Sequence, residues 1–160
     1  MRIIAPLFTL IIVLSFSAVG QTLPNNSLAL DKQDLWTQKD LIQPSELAAI
    51  VNNPKSMPVH IFNIGVVDDI KGAKNFGAAG KKENLDKLKA VLTGLPKSSM
   101  VVVYCGCCPF AKCPNIRPAF NLMKSLGYSK GRLLNLPQNL KQDWISKGYP
   151  LDLKEASTGN

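Results

Sequence analysis

Met100-Val101-Val102-Val103-Tyr104 is the strongest strand signal in the sequence, and Cys105 follows it directly. The middle of this run is β-branched throughout, which favours a strand buried on both faces. After a short cysteine-rich loop, a helix is predicted from Ile116 to Leu126 and ends at Gly127. This succession of strand, loop and helix is typical of a parallel α/β sheet.

The rest of the sequence continues the same alternation. Helices and strands are predicted, in order, at Pro44 to Val51 (helix), Val59 to Ile64 (strand), Glu83 to Leu92 (helix), Leu133 to Leu136 (strand) and Gln138 to Lys147 (helix). The glycine-rich stretch from Gly65 to Gly80 is predicted to be mainly loop. The predicted fold class is therefore α/β, a small parallel sheet with helices on both faces.

Residues 1–20 have the pattern of a secretory signal peptide. Arg2 precedes an apolar stretch from Ile3 to Phe16, and Ala18-Val19-Gly20 supplies the small residues that a signal peptidase reads. We expect cleavage after Gly20, export to the periplasm or outside the cell, and no stable membrane insertion afterwards. The remaining chain is divided into a flexible lead-in (21–40), one domain (41–153) and a polar tail (154–160).

Composition and charge exclude several classes of protein. With 46% hydrophobic and 19% charged residues, the chain has enough apolar material for a core, so disorder is disfavoured. The formal net charge is +8, but the lysines are dispersed and form no basic stripe interleaved with aromatic residues. Nucleic acid is therefore not an expected partner. The positive field favours small anionic ligands.

The four cysteines lie within nine residues, at Cys105, Cys107, Cys108 and Cys113. Cysteines this close together cannot join distant elements, so they indicate local chemistry or local bracing. Cys105 lies between the end of a strand and the start of a helix that Asn115 is placed to cap. A helix N-terminus favours a thiolate, so Cys105 is the predicted nucleophile.

Several segments together resemble the rhodanese-like sulfurtransferases. A hydrophobic strand ending in Tyr104-Cys105, then a loop and a helix closing on Leu126-Gly127-Tyr128, resembles the active-site unit of that family. Ile70-Lys71-Gly72-Ala73 resembles the family's Ile-Pro-Gly-Ala turn, and Trp144 to Pro150 resembles its Trp-x-x-x-Gly-Tyr-Pro ending. The resemblance covers roughly residues 43–151 and implies a rhodanese-like domain.

The resemblance implies an enzyme that needs no cofactor. Cys105 would take a sulfane sulfur from a small anionic donor such as thiosulfate, or from a persulfide, and pass it to a thiol or cyanide acceptor. Gly106, Asn115 and Arg117 are the residues expected to bind the anion, and no metal site is assigned. The protein partner, if there is one, stays undefined.

The sequence departs from the family pattern at three places around the predicted site. Asn63 and Gly65 stand where the family usually has aspartate and arginine, and Asp69 stands where it usually has histidine. The loop from Gly106 to Pro114 is also longer than the usual catalytic loop of about six residues. An enlarged loop builds a different ring of backbone N–H groups around the sulfur.

The roles of Cys107, Cys108 and Cys113 stay open. They fit a bracing disulfide, a resolving thiol that attacks sulfur on Cys105, or a soft-metal site for Cu(I) or zinc. Two other functions therefore remain: a periplasmic thiol–disulfide or redox protein, and a non-catalytic module that binds a soft metal or a partner. A phosphatase of this fold is disfavoured because its Cys-x5-Arg spacing is missing.

Overall fold

The structure is a computed structural model, and it describes residues 35–53, 55 and 57–152. The predicted signal peptide, most of the lead-in and the polar tail lie outside these residues. Among the residues that the structure describes, no helix is both long and apolar enough to cross a membrane.

The described residues form one five-stranded, fully parallel sheet in the order β1-β5-β4-β2-β3. The strands are β1 (Leu41–Ile42), β2 (Val59–Asn63), β3 (Ala73–Asn75), β4 (Met100–Tyr104) and β5 (Gly131–Leu134). The helices are α1 (Pro44–Asn52), α2 (Lys82–Gly94), α3 (Ile116–Ser125) and α4 (Leu140–Asp143), with short 3-10 segments at Gln38–Asp40, Phe110–Lys112 and Ile145–Lys147.

The central strand β4 has a hydrophobic core on each face of the sheet. Val101, Val103 and Cys105 point to the face covered by α2 and α3, whereas Val102 and Tyr104 point to the face covered by α1 and α4. This alternation follows from the two-residue period of a strand. The predicted α/β class, a parallel sheet with helices on both faces, is confirmed.

The predicted ranges of α1, α2, α3, β2 and β4 agree with the structure to within two residues at each end. Strand β3 is a difference, because it lies inside the stretch predicted to be loop. Its sequence, Ala-Lys-Asn, has low β propensity, and it forms an exposed edge strand by pairing with β2. The formation of β3 therefore depends on its pairing with β2 and not on the β propensity of its own residues.

The last predicted helix, Gln138 to Lys147, is interrupted at Trp144. That residue leaves the helical region, with φ −127° and ψ −62°, so that α4 ends at Asp143 and a 3-10 turn follows. The fully buried indole donates a hydrogen bond from Nε1 to the Pro150 carbonyl at 3.0 Å. The helix is interrupted here because this backbone conformation lets the indole be buried while its N–H group keeps a hydrogen-bond partner.

The folded structure extends further towards the N-terminus than the predicted domain start at residue 41. Trp36 is buried, with its ring centroid 5.5 Å from that of Phe110 and 5.9 Å from that of Phe120. Asp40 is also buried and accepts a 2.8 Å hydrogen bond from the Lys124 ammonium group on α3. The end of the predicted lead-in thus packs beside the cysteine loop.

Candidate active site at the cysteine loop

The cysteine loop lies at the carboxyl end of β4, where parallel α/β sheets place ligand sites. Gly106 turns the chain with φ +74°, a conformation that favours glycine. A β-carbon at Gly106 would also lie 2.8 Å from Cβ of Leu140. The Leu140 N–H donates to the Gly106 carbonyl at 2.8 Å, so the start of α4 fixes this turn.

The Cys105 sulfur lies inside a cluster of polar contacts, although its residue is only 1% exposed. Asn115 Nδ2 donates to Cys105 Sγ at 3.2 Å, and Cys107 Sγ lies 3.2 Å from the same sulfur. The sulfurs of Cys105, Cys107 and Cys113 all lie within 4.8 Å of one another. The four cysteines are free thiols in this structure.

These contacts favour the thiolate of Cys105. A hydrogen bond from the Cys113 thiol, helped by the Asn115 amide and the Cys107 backbone N–H, outweighs burial and lowers the pKa of Cys105 to about 5. The pKa of Cys107 is raised to about 12 by burial and by its hydrogen bond to the Cys105 sulfur. The hydrogen bond that Cys113 makes to the Cys105 sulfur, together with burial, raises the pKa of Cys113. One negative charge is thus concentrated on Cys105.

Asn115 occupies the N-cap position of α3 as predicted, but its side chain does not cap the helix. Instead its Oδ1 accepts a 2.8 Å hydrogen bond from the Gly80 N–H, while its Nδ2 donates to the Cys105 sulfur. The backbone at Asn115 is already helical, with φ −81° and ψ −27°, which turns the side chain away from the first helical N–H groups. The side chain therefore orients the sulfur.

An open cleft of about 800 Å³ lies over the cysteine loop. Its walls are the loop after β2, the turn at Gly106 and the first residues of α4, lined by Gly65, Val66, Val67, Asp68, Asn75, Gly77, Gly106, Cys107, Asn139, Leu140, Lys141 and Ile145. Cys107 lines this cleft and is exposed, whereas Cys105 does not line it. The Cys105 sulfur lies directly beneath the wall, because a β-carbon on Gly65 would be only 2.9 Å from it.

Hydrogen bonds join Asn63, Gly65 and Asp69, the three residues that depart from the family pattern, and of these Gly65 lines the cleft. Asn63 Oδ1 accepts from the Gly65 N–H at 2.9 Å, and Asn63 Nδ2 donates to Asp69 Oδ1 at 2.8 Å. Asn75 Nδ2 donates to the same Asp69 oxygen at 2.8 Å. The sequence gives no local signal for this network, because Asn75 belongs to a strand that its sequence does not predict.

The remaining predicted site residues lie at different distances from the cleft. Gly106 lines it, and Cys108 is half-buried with its sulfur 3.6 Å from that of Cys107. Arg117 is not among the lining residues, and its guanidinium carbon lies 5.1 Å from the centre of the Trp36 ring. This cation–π contact shows that the arginine packs on the N-terminal segment.

No protein-family model matches the chain, and no curated protein matches it. The resemblance to rhodanese-like proteins therefore rests on the sequence segments from residue 43 to residue 151 alone.

Gly65→Ala should destabilise the protein, because the new β-carbon would lie 2.4 Å from the Cys105 carbonyl oxygen and 2.9 Å from its sulfur. Overpacking of this kind costs about 1–3 kcal/mol of the free energy of unfolding. Gly94→Ala is the matched control, because a β-carbon there meets no atom within 4 Å. Urea unfolding of both variants checks the prediction, and equal stabilities would contradict the close packing under Gly65.

Proposed function

We propose that this protein is a sulfurtransferase that carries a sulfane sulfur on Cys105. The observation that supports this most directly is a cysteine sulfur with three kinds of hydrogen-bond donor directly beneath an open cleft. A thiolate is the form of cysteine that attacks sulfur, and the donors keep Cys105 in that form at neutral pH. The resemblance to rhodanese-like proteins favours the same chemistry.

In the first step, the Cys105 thiolate attacks the outer sulfur of thiosulfate. A Cys105 S–S bond forms, the sulfur–sulfur bond of thiosulfate breaks, and its electron pair leaves with sulfite. In the second step, an acceptor thiolate attacks the outer sulfur, so that an acceptor persulfide forms and the Cys105 thiolate is regenerated. Both steps are nucleophilic displacements at sulfur that need no external oxidant or reductant, so no redox cofactor is required.

The cleft provides both space and charge for a small anion. Lys141 lines it from α4, and the chain carries a formal net charge of +8. Asp68 on the opposite wall limits how much negative charge the cleft accepts. The outer sulfur of a Cys105 persulfide would reach the cleft beside Gly65 and Gly106, two of the three glycines that line it. The site thus suits a compact donor better than a bulky one.

In this proposal, Cys107 removes the sulfur from Cys105. Its sulfur lies 3.2 Å from Cys105 Sγ, and its side chain is exposed in the cleft. Once sulfur is bound, the negative charge moves from the Cys105 sulfur to the outer sulfur. The hydrogen bond to Cys105 that raises the pKa of Cys107 is then weaker, so Cys107 loses its proton more easily. Cys107 can then act as the resolving thiol that accepts the sulfur and presents it to an external thiol.

The same 3.2 Å separation also favours a second candidate, thiol–disulfide exchange between Cys105 and Cys107. In that reaction the two thiols lose two electrons and two protons to an external disulfide, and no sulfur atom is gained. The two functions therefore differ in product mass. Sulfur transfer adds one sulfur atom to the chain, whereas oxidation removes two hydrogen atoms.

Cys105→Ser should reduce thiosulfate turnover to background, a loss on the order of 10³ or more, because a serine hydroxyl cannot hold a persulfide. Cys108→Ser is the control, since the Cys108 sulfur lies outside the group of three. It should retain most of the activity. Release of sulfite and the mass gain of one sulfur atom are the measurements. Unchanged turnover in Cys105→Ser would refute the proposed function.

Cys107→Ser should slow release of the sulfur more than its uptake, so that the persulfide on Cys105 accumulates during turnover. Intact-mass measurement under non-reducing conditions checks the amount of protein carrying one extra sulfur. If the persulfide level in Cys107→Ser equals that of the parent protein while turnover is unchanged, Cys107 is not the resolving thiol.

A further inference from the structure

Cys105, Cys107 and Cys113 come together although eight positions separate the first from the last. Their sulfur atoms lie within 4.8 Å of one another, and no other described histidine, aspartate or glutamate belongs to this group. Cys105 and Cys113 are buried, and Cys107 is exposed in the cleft. The three sulfurs are thus close enough to share one ion, and one of the three residues is exposed.

We propose that Cys105, Cys107 and Cys113 bind one Cu(I) ion. Thiolates are soft ligands, which favour Cu(I), zinc and iron–sulfur clusters over hard cations. Cu(I) accepts three sulfur ligands in a plane, and three sulfurs at these separations can surround one ion with little movement. Hydrogen bonds between thiols link Cys105 to Cys107 and to Cys113, and binding of the ion would replace these protons.

Zinc fits these residues less well. Structural zinc sites are almost always tetrahedral with four protein ligands, and this group supplies three. The single histidine, His60, lies on β2 and pairs with Val101, four residues before Cys105. It therefore lies towards the opposite end of the sheet. Cys108 has its sulfur 3.6 Å from that of Cys107 but does not belong to the group of three.

The backbone of the loop fixes the spacing of the ligands. The 3-10 turn Phe110–Lys112 returns the chain towards Cys105. The Cys113 N–H donates to the Phe110 carbonyl at 3.1 Å. The Phe110 N–H donates to the Leu136 carbonyl at 3.1 Å, which ties the turn to the segment after β5. Phe110 and Cys113 belong to the same apolar core as Cys105. A buried, apolar surrounding restricts access of water and oxidants to the ion.

This inference goes beyond the proposed function and does not rest on it. Both use the Cys105 sulfur, so a bound Cu(I) ion excludes a persulfide on that residue. Copper binding can be measured without any turnover, and the two proposals therefore fail separately. A protein that binds Cu(I) but transfers no sulfur would refute only the first proposal.

The test is an anaerobic titration of the reduced full chain with Cu(I), in competition with a chromophoric Cu(I) chelator. We expect one Cu(I) per chain. Cys107→Ser should weaken binding by about 100-fold or more, because losing even an outer partner of a metal ligand costs about 10–100-fold. Cys107 is exposed, so this variant should fold. Cys113→Ser should behave in the same way, whereas Cys108→Ser should bind like the parent.

X-ray absorption at the copper edge should show three sulfur ligands and no nitrogen or oxygen ligand. Three results would each overturn the proposal: no binding at one equivalent, equal losses in Cys107→Ser and Cys108→Ser, or displacement of Cu(I) by an equimolar amount of Zn(II).

Discussion

The hydrogen bond from Asn115 to the Cys105 sulfur is the contact on which the rest of the site depends. The Asn115 amide accepts from the Gly80 N–H and donates to the sulfur, so it joins the loop before α2, the start of α3 and the end of β4. Because both ends of the amide are used, the side chain is fixed in one orientation. A fixed donor beside a buried sulfur stabilises negative charge there more than water-exposed groups would.

Burial and access compete at this sulfur. Cys105 is 1% exposed, which protects the thiolate, yet a sulfur donor must come within bonding distance of it. Gly65 and Gly106 improve access to the sulfur, because the cleft wall has no side chain at those two positions. Cys107 provides a second route to the sulfur, since it contacts the buried Cys105 sulfur and is itself exposed. The chemistry is therefore shared between a buried thiolate and an exposed thiol.

The sequence predicts the scaffold of the site better than its surroundings. The short run before Cys105 is β-branched throughout its middle, so the strand and the position of the cysteine after it follow from composition and length. Asn115 is predicted at the start of α3, but its side chain serves the sulfur and not the helix, because that choice depends on a contact with Gly80 thirty-five residues away. The hydrogen bonds of Asn63 and Asn75 to Asp69 likewise depend on the pairing of β2 with β3, which the sequence pattern does not predict.

The most direct test of this account is the pH titration of the Cys105 thiolate in metal-free, reduced protein. The ultraviolet absorbance of Cys107→Ser/Cys108→Ser is compared with that of the same protein carrying Cys105→Ser. The difference below about pH 7 reports Cys105, because Cys113 remains a neutral thiol in that range in both proteins. Serine at position 107 keeps a donor beside the sulfur. With the pKa of Cys105 lowered to about 5, the midpoint should fall near that pH. A midpoint near the value of a free thiol, about 8.5, would contradict the account.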